Sequence, residues 1–250
     1  MNEIYKKFEN KVAIITGAGS GIGKSCSELL YESGANIVLV GKSNKVTKLA
    51  EVLNDSERIL VIETDISKEE NVKNLVNKTI KKFKKIDILI NSAGVTGPGN
   101  IEDLSLNDWE NIHSNNGTST FLCCKYVIPH MKLKKYGKII NVSSIAGRFR
   151  GRTSGLHYAY AKAGILGFTR QLAAEVGKWK INVNCLCPSQ TMTEMLKKLI
   201  TPEIEEELNK TIPLGRIALP EEQAKVILFL ASDDSSYIQG ALIDSNGGQI

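Results

Sequence analysis

No stretch of the chain approaches the roughly 18 consecutive apolar residues that a membrane-spanning helix needs. The opening segment, MNEIYKKFENK, is charged where a secretory leader would be apolar. Histidine is scarce, and His113, His130 and His157 lack metal-ligand spacing. The cysteines are Cys26, Cys123, Cys124, Cys185 and Cys187: an odd number with no C-x-x-C pair, which argues against both a disulfide framework and a zinc site. They read as reduced, buried thiols, and Cys185 and Cys187, two apart in a strand-like run, share one face. Aromatics make up 6% of the 250 residues, ordinary for an α/β protein. The net charge of +5 is too small to argue for nucleic acid and leans only mildly toward anionic ligands. Linkers, repeats and low-complexity tracts are also missing. These absences set the expectation of one domain over 1–250, reduced and cytoplasmic, with no nucleic-acid or membrane partner.

What is present is an alternation. Short apolar runs stand at 12–16 (VAIIT), 36–40, 58–63, 87–91, 138–142 and 181–187, separated by amphipathic stretches at 21–33, 44–54, 69–84, 106–134, 156–177 and 220–232. Near-continuous Val/Ile/Leu strands between helices predict a parallel sheet covered on both faces. Right-handed crossovers make it a doubly wound, Rossmann-type α/β fold of about seven strands. Residues 188–219 break the rhythm, with Pro188, Pro202, Pro213 and Pro220 among charged helical pieces. Such an excursion beyond a strand's carboxyl end is the expected substrate lid. The lysines at 81, 82, 84 and 85, and at 132, 134 and 135, close predicted helices, where they oppose the negative dipole end.

The first strand runs into Thr16-Gly17-Ala18-Gly19-Ser20-Gly21-Ile22-Gly23. Gly17, Gly21 and Gly23 let the turn tighten, the backbone approach a pyrophosphate and the next helix pack closely, while N–H groups at the helix start favour the anion. At the end of the second strand, where a carboxylate would bind a ribose diol and repel a 2′-phosphate, stand Gly41, Lys42 and Ser43. That substitution favours NADP, with NAD still possible because Ser20 brings no cation.

The T-G-x-x-x-G-x-G spacing resembles the short-chain dehydrogenase/reductase family, in its single-domain branch, and the resemblance runs over about residues 10–248. It implies that Asp65, with Ile66, meets the adenine side, that Asn91-Ser92-Ala93-Gly94 closes the fourth strand beside the cofactor, and that Asn116 is catalytic. It further implies that Pro188, Thr191 and Thr193 approach the nicotinamide carboxamide, and that the enzyme is a homotetramer. Ser92 and Ser189 depart from the family's usual residues.

Tyr158 and Lys162, at i and i+4 on a predicted helix, share one face. A phenol with a reference pKa near 10 needs help to act at neutral pH. The nearby ammonium, together with an oxidised nicotinamide, is expected to lower it. Tyr158 then exchanges a proton with the substrate oxygen, and Lys162 also holds the nicotinamide ribose, as its family counterpart does. Tyr160 has Gly164 four residues on and reads as packing. Ser144, three residues before Gly147, is the expected hydrogen-bond donor to the substrate carbonyl, with Ser143 as its competitor. Asn116 completes the set by holding a relay water; the bland alternative is a polar residue or kink in a long helix.

Arg148, Arg150 and Arg152 form a guanidinium-rich stretch that suits carboxylate or phosphate, or else a plain exposed turn or subunit contact. His157 reads as flanking, and Met195, Leu196 and Leu199 as either substrate-facing or ordinary packing. The leading expectation is an NADP-dependent ketoreductase similar to 3-oxoacyl-(acyl-carrier-protein) reductases, acting on a small-molecule or acyl-thioester carbonyl. Its rivals are an NAD-dependent secondary-alcohol or sugar dehydrogenase and a non-catalytic cofactor-binding scaffold.

Overall fold

The computed structural model describes residues 7–151, 154–198 and 200–250. Its centre is a seven-stranded, all-parallel sheet: β1 (Val12–Thr16), β2 (Asn36–Gly41), β3 (Ile59–Glu63), β4 (Ile88–Asn91), β5 (Gly137–Val142), β6 (Ile181–Pro188) and β7 (Leu242–Ser245), in spatial order β3-β2-β1-β4-β5-β6-β7. The order reverses at β1, so a crevice opens between the carboxyl ends of β1 and β4, the usual ligand position in such sheets. β1, β4 and β5 are buried throughout, which is why they appear as runs dominated by Val, Ile and Leu.

Alternating side chains divide the core in two. Ile14, Val38, Leu89 and Ile139 face one side, where α3 (Glu69–Phe83), α5 (Ser119–Lys134) and α7 (Leu156–Val176) bury Leu75, Val127 and Val176. Their neighbours Ile15, Ile37, Ile90 and Ile140 face the other, under Leu30 of α1 (Gly21–Glu32), Leu49 of α2 (Lys45–Leu53) and Ile227 of α10 (Pro220–Ala231). All five cysteines are free and buried. The lysine-rich helix ends are spent locally: Lys82 donates to the carbonyls of Ser56 and Ile59 at 2.6 and 2.7 Å.

The predicted 106–134 helix is continuous but not uniform. α4 (Leu106–His113) passes into a π turn, Ser114–Thr118, before α5 begins. The extra residue in that turn carries Asn116, and such bulges cluster at functional positions. Asn116 is fully buried there, donating from Nδ2 to Ile112 O at 2.8 Å and to Val95 O at 3.0 Å.

The 188–219 excursion folds on itself. α8 (Glu194–Lys197) and α9 (Pro202–Thr211) pack Leu196, Leu208, Ile212 and Ile217 into a cluster of their own. A backbone bond from Met192 N to Ala218 O, 2.8 Å, ties its two arms together. Glu194 forms an ion pair with Lys45 of α2, and a Cβ placed at Gly21 would meet Thr193 Cγ2 at 2.9 Å. The excursion therefore rests against the glycine loop.

Candidate active site

The carboxyl ends of β1, β4, β5 and β6 open into a cleft of about 250 Å³. At one end lies the glycine turn, with Gly17 and Gly21 at φ of +67° and +53°. Side chains are strained there, and a Cβ at Gly17 would also sit 2.9 Å from Ala93 Cα. A Cβ at Gly23 would come within 2.3 Å of Gly17 O, so that glycine serves helix-to-turn packing. The side chain of Ser20, the N-cap of α1, makes no capping bond, and no acidic residue occupies the first turn. The helix thus presents unpaired N–H groups to the cleft, an arrangement that fits a pyrophosphate.

Ser144, Tyr158, Lys162 and Asn116 line the other end. Ser144 caps the short helix α6 (Ile145–Arg148), its Oγ accepting from Ala146 N at 3.1 Å, and its hydroxyl lies near enough to the Tyr158 phenol to favour the phenolate. Ser143 instead donates its hydroxyl to Lys162 O at 2.7 Å, behind the cleft. Lys162 is buried and donates from Nζ to Val142 O at 2.8 Å, with Nζ 5.6 Å from the Tyr158 ring centroid. Burial pushes the Lys162 ammonium down to about 8, countered in part by the thiols of Cys185 and Cys187. Asn116 Oδ1 is buried without a partner. A Cβ at Gly94 would meet that oxygen at 2.5 Å and Lys162 Nζ at 3.4 Å, so the glycine leaves a cradle between them.

The expected depression of the Tyr158 pKa is not what the protein itself produces. Burial raises the phenol above its ordinary value, and the Ser144 hydroxyl pulls back only part of the way. Desolvation of a phenolate in this pocket outweighs a lysine whose own charge is costly to bury.

Of the other predicted cofactor residues, Gly17, Ser20, Gly21, Ile22, Ala93, Gly94, Pro188, Thr191 and Thr193 line the cleft. Asn91 and Ile66 do not. Asn91 is buried in the sheet, its side chain donating to Asn141 Oδ1 at 2.9 Å, and the side chain of Ile66 packs in the core. Lys42 pairs with Asp65 at 3.0 Å and donates to Asn115 Oδ1 at 2.6 Å, while Ser43 is exposed. Hydrogen bonds from Ser67 and the Lys42 ammonium hold the Asp65 carboxyl below its usual range, against burial.

Arg148 is taken by Asp244 of β7 at 3.0 Å, which removes it as a free anion ligand. Arg150 stays exposed; Arg152 and Leu199 lie outside the described residues. His157 is buried beside Gly97 and Gly155, off the cleft. Tyr160 packs on Trp109, ring centroids 4.8 Å apart. Met195 and Leu196 both reach the cleft.

Sequence reasoning missed three residues. Thr16 Oγ1 accepts from Ser92 N at 3.1 Å and from Ala93 N at 3.0 Å, pinning the loop after β4. Thr96 and Gln190 line the cleft with buried oxygens that have no partner. Thr16 had a signal, as the polar end of an apolar strand; the other two had none in spacing or periodicity.

A family model described as enoyl-(acyl carrier protein) reductase matches residues 17–249. The chain belongs to the short-chain dehydrogenase/reductase family. It is accordingly an oxidoreductase of that family. It is 38% identical to a 3-oxoacyl-(acyl-carrier-protein) reductase of Chlamydia trachomatis, over 96% of this chain and 97% of that one. It is also 38% identical to an NAD-dependent glycerol dehydrogenase of Listeria innocua, over 96% and 93%. Among solved structures, a Brucella melitensis 3-oxoacyl-(acyl-carrier protein) reductase with bound NAD superposes with a TM-score of 0.91 at 28% identity, over 99% of this chain and 94% of that one.

Proposed function

We propose that the protein is a nicotinamide-dependent ketoreductase that reduces a 3-oxoacyl thioester to the secondary alcohol, with NADPH as the preferred cofactor. One observation carries this reading: Ser144, Tyr158, Lys162 and Asn116 converge on one cleft whose far end is an uncapped helix N-terminus. The bound nicotinamide would supply the hydride. Ser144 holds the substrate carbonyl by a hydrogen bond, and Tyr158 gives its phenolic proton to the oxygen as charge develops there. A phenol held above its ordinary pKa is protonated at neutral pH, the form a proton donor needs. Lys162, on the same helix face, holds the ribose and returns a proton toward Tyr158. Asn116 has a free acceptor oxygen with which to position a relay water between lysine and solvent. Gly17, Ser20, Gly21 and Ile22 receive the pyrophosphate; Pro188, Thr191 and Thr193 face the carboxamide.

Cofactor choice rests on Gly41, where no carboxylate stands against a 2′-phosphate. A second reading, an NAD-dependent alcohol or polyol dehydrogenase, draws on Lys42, whose charge is already engaged by Asp65. It also draws on the likeness to the Listeria glycerol dehydrogenase. No helix among the described residues is long and apolar enough to cross a membrane. Homotetramer assembly belongs to the same proposal, and exposed Phe121 and Tyr160 are suited to subunit contact.

The test is consumption of NADPH and NADH against acetoacetyl thioesters and small ketones, and the reverse reaction with polyols, with Tyr158→Phe as control. Faster turnover of a thioester with NADPH supports the first reading. Polyol oxidation with NAD alone supports the second. No turnover of any carbonyl or alcohol refutes both.

A further inference from the structure

Three stretches stand where α3, α5 and the turn after α7 give way to β4, β5 and β6: KKFKK at 81–85, KLKK at 132–135 and KWK at 178–180. Each sets one apolar residue among lysines, and none holds an acidic residue. β4, β5 and β6 are neighbours in the sheet, so the stretches form a row along its amino edge, opposite the cleft. Lys132 Nζ lies 3.8 Å and Lys178 Nζ 4.4 Å from the Trp179 ring centroid, which joins the second stretch to the third. With packed helix axes about 10 Å apart, the row spans about 20 Å.

Opposition to the helix dipole is not the whole reason for these lysines. α1, α2 and α10 end at the same edge with no basic residue in their last turns. The backbone carries a second, independent mark. Lys84, Lys135 and Lys180 close their helices or turn at φ of +65°, +50° and +56°, a left-handed conformation that strains a residue with a Cβ. In the other layer that conformation falls to Gly34 and Asn54, residue types that tolerate it best. Lysine is thus held three times where glycine would be unstrained, and outliers of this kind cluster at functional positions. Local bonds occupy some of the ammoniums without neutralising them: Lys82 and Lys84 hydrogen-bond only to carbonyls. Among the described residues, Lys85 alone in the row has an acidic partner, Asp87 at 2.9 Å.

We infer that this edge is a peripheral docking surface for an anionic phospholipid bilayer, with Leu133 entering the headgroup layer and the flanking lysines meeting its phosphates. Leu133 is 85% exposed in the middle stretch, and each outer stretch adds a half-buried aromatic, Phe83 or Trp179. Apolar side chains between lysines suit a surface on which acyl chains lie just beneath phosphates. A nucleic-acid backbone offers Leu133 nothing to bury against, and the Trp179 and Phe83 rings already carry ammoniums where bases would stack. Docking on this edge leaves the cleft open to water. Lying on a bilayer differs from spanning one, for which no helix among the described residues is long and apolar enough.

Sedimentation of the full chain with vesicles tests the surface. Binding is expected to vesicles of equal parts phosphatidylglycerol and phosphatidylcholine, not to phosphatidylcholine alone, and should vanish at about 1 M salt, where charges are screened beyond about 3 Å. A lysine at an anionic surface contributes about fivefold in affinity, so Lys84→Gly/Lys135→Gly/Lys180→Gly should weaken binding about a hundredfold. The same variant should melt no lower than wild type, because glycine relieves the strain. Leu133→Ser should weaken binding about tenfold. Should the glycine variant melt lower, Lys81→Gln/Lys134→Gln/Lys178→Gln carries the same test without touching those positions. Lys48→Gln/Lys68→Gln/Lys198→Gln, which removes as much charge elsewhere, should bind within about threefold of wild type. Absence of binding by the wild type, unchanged binding by variants of the row, or an equal loss in the control variant overturns the proposal. So does tighter binding of a single-stranded oligonucleotide or of polyglutamate, which assigns the row to nucleic acid or to an acidic protein instead.

Discussion

The ammonium of Lys162 stands 5.6 Å from the centroid of the Tyr158 ring, one turn along α7, and is anchored to the carbonyl of Val142. Tyr160, two residues from Tyr158, lies against Trp109 instead. Tyr158→Phe should therefore lower kcat by about 10²–10⁴-fold while leaving the dissociation constant for NADPH within twofold. Tyr160→Phe should change kcat by less than about twofold, since it keeps the ring that packs. Steady-state kinetics with fluorescence titration of the cofactor measure both.

Activity should respond to pH with opposite slopes in the two directions. Reduction needs a protonated phenol and a charged lysine. Tyr158 is held above its ordinary value, so the lysine, at about 8, titrates first as pH rises. The kcat/KM for the carbonyl should fall above about pH 8, whereas alcohol oxidation, which needs the phenolate, should rise. A flat profile between pH 7 and 9 in both directions would sink this assignment.

Lys162 should also be a stability cost. Its folded pKa lies below the ordinary 10.5, so below about pH 8 both folded and unfolded forms carry the proton and the burial penalty is fully present. As pH rises from about 8 toward 10.5, the unfolded chain holds more protons and that penalty is relieved. The depression corresponds to about 3 kcal/mol, less about 1 kcal/mol for the lost bond to Val142. Lys162→Met should raise Tm at pH 7 by a few degrees, about 2–4 °C per kcal/mol, while turnover collapses. Differential scanning calorimetry decides the sign.

Gly94→Ala should injure the site without unfolding the chain. The added methyl meets Asn116 Oδ1 at 2.5 Å, and Asn116 sits in a π turn with two backbone bonds to lose. We expect kcat/KM to drop at least about tenfold, with the melting temperature down by a few degrees. Wild-type kinetics in this variant would show that the cradle tolerates filling.

Gly41→Asp should turn the cofactor ratio. A carboxylate there would accept from a ribose diol and repel a 2′-phosphate. The ratio of kcat/KM for NADPH over NADH should fall by about tenfold or more, about 1.4 kcal/mol. An unchanged ratio would remove Gly41 as the determinant.

Much of the fold was legible because its physics is local. The apolar runs mark six strands to within one residue, and the helix periods do nearly as well; only the short β7, Leu242–Ser245, half-buried at an edge, escaped as a run. The π turn was not legible, since one inserted residue leaves the apolar period around Asn116 almost intact. Arg148 read as a free cation because its partner, Asp244, lies 96 positions away in sequence. Asn91 and Ile66 were legible as positions of a motif, but not the burial of their side chains, Asn91 against Asn141 and Ile66 in the core. The direction of the Tyr158 shift depends on how much water the folded pocket excludes, which no spacing encodes.

The hydroxyl of Thr16 and the amides of Asn91 and Asn141 lie in register across β1, β4 and β5, and the two amides are bonded at 2.9 Å. In strands otherwise made of interchangeable aliphatics, these polar groups act as alignment pegs. Sliding β4 or β5 by one residue would drive an amide to the opposite face, among isoleucines, with nothing to bond. The mispaired sheets that such greasy strands could otherwise form are thereby penalised, and the loops that grow from these three strand ends start from a fixed baseline.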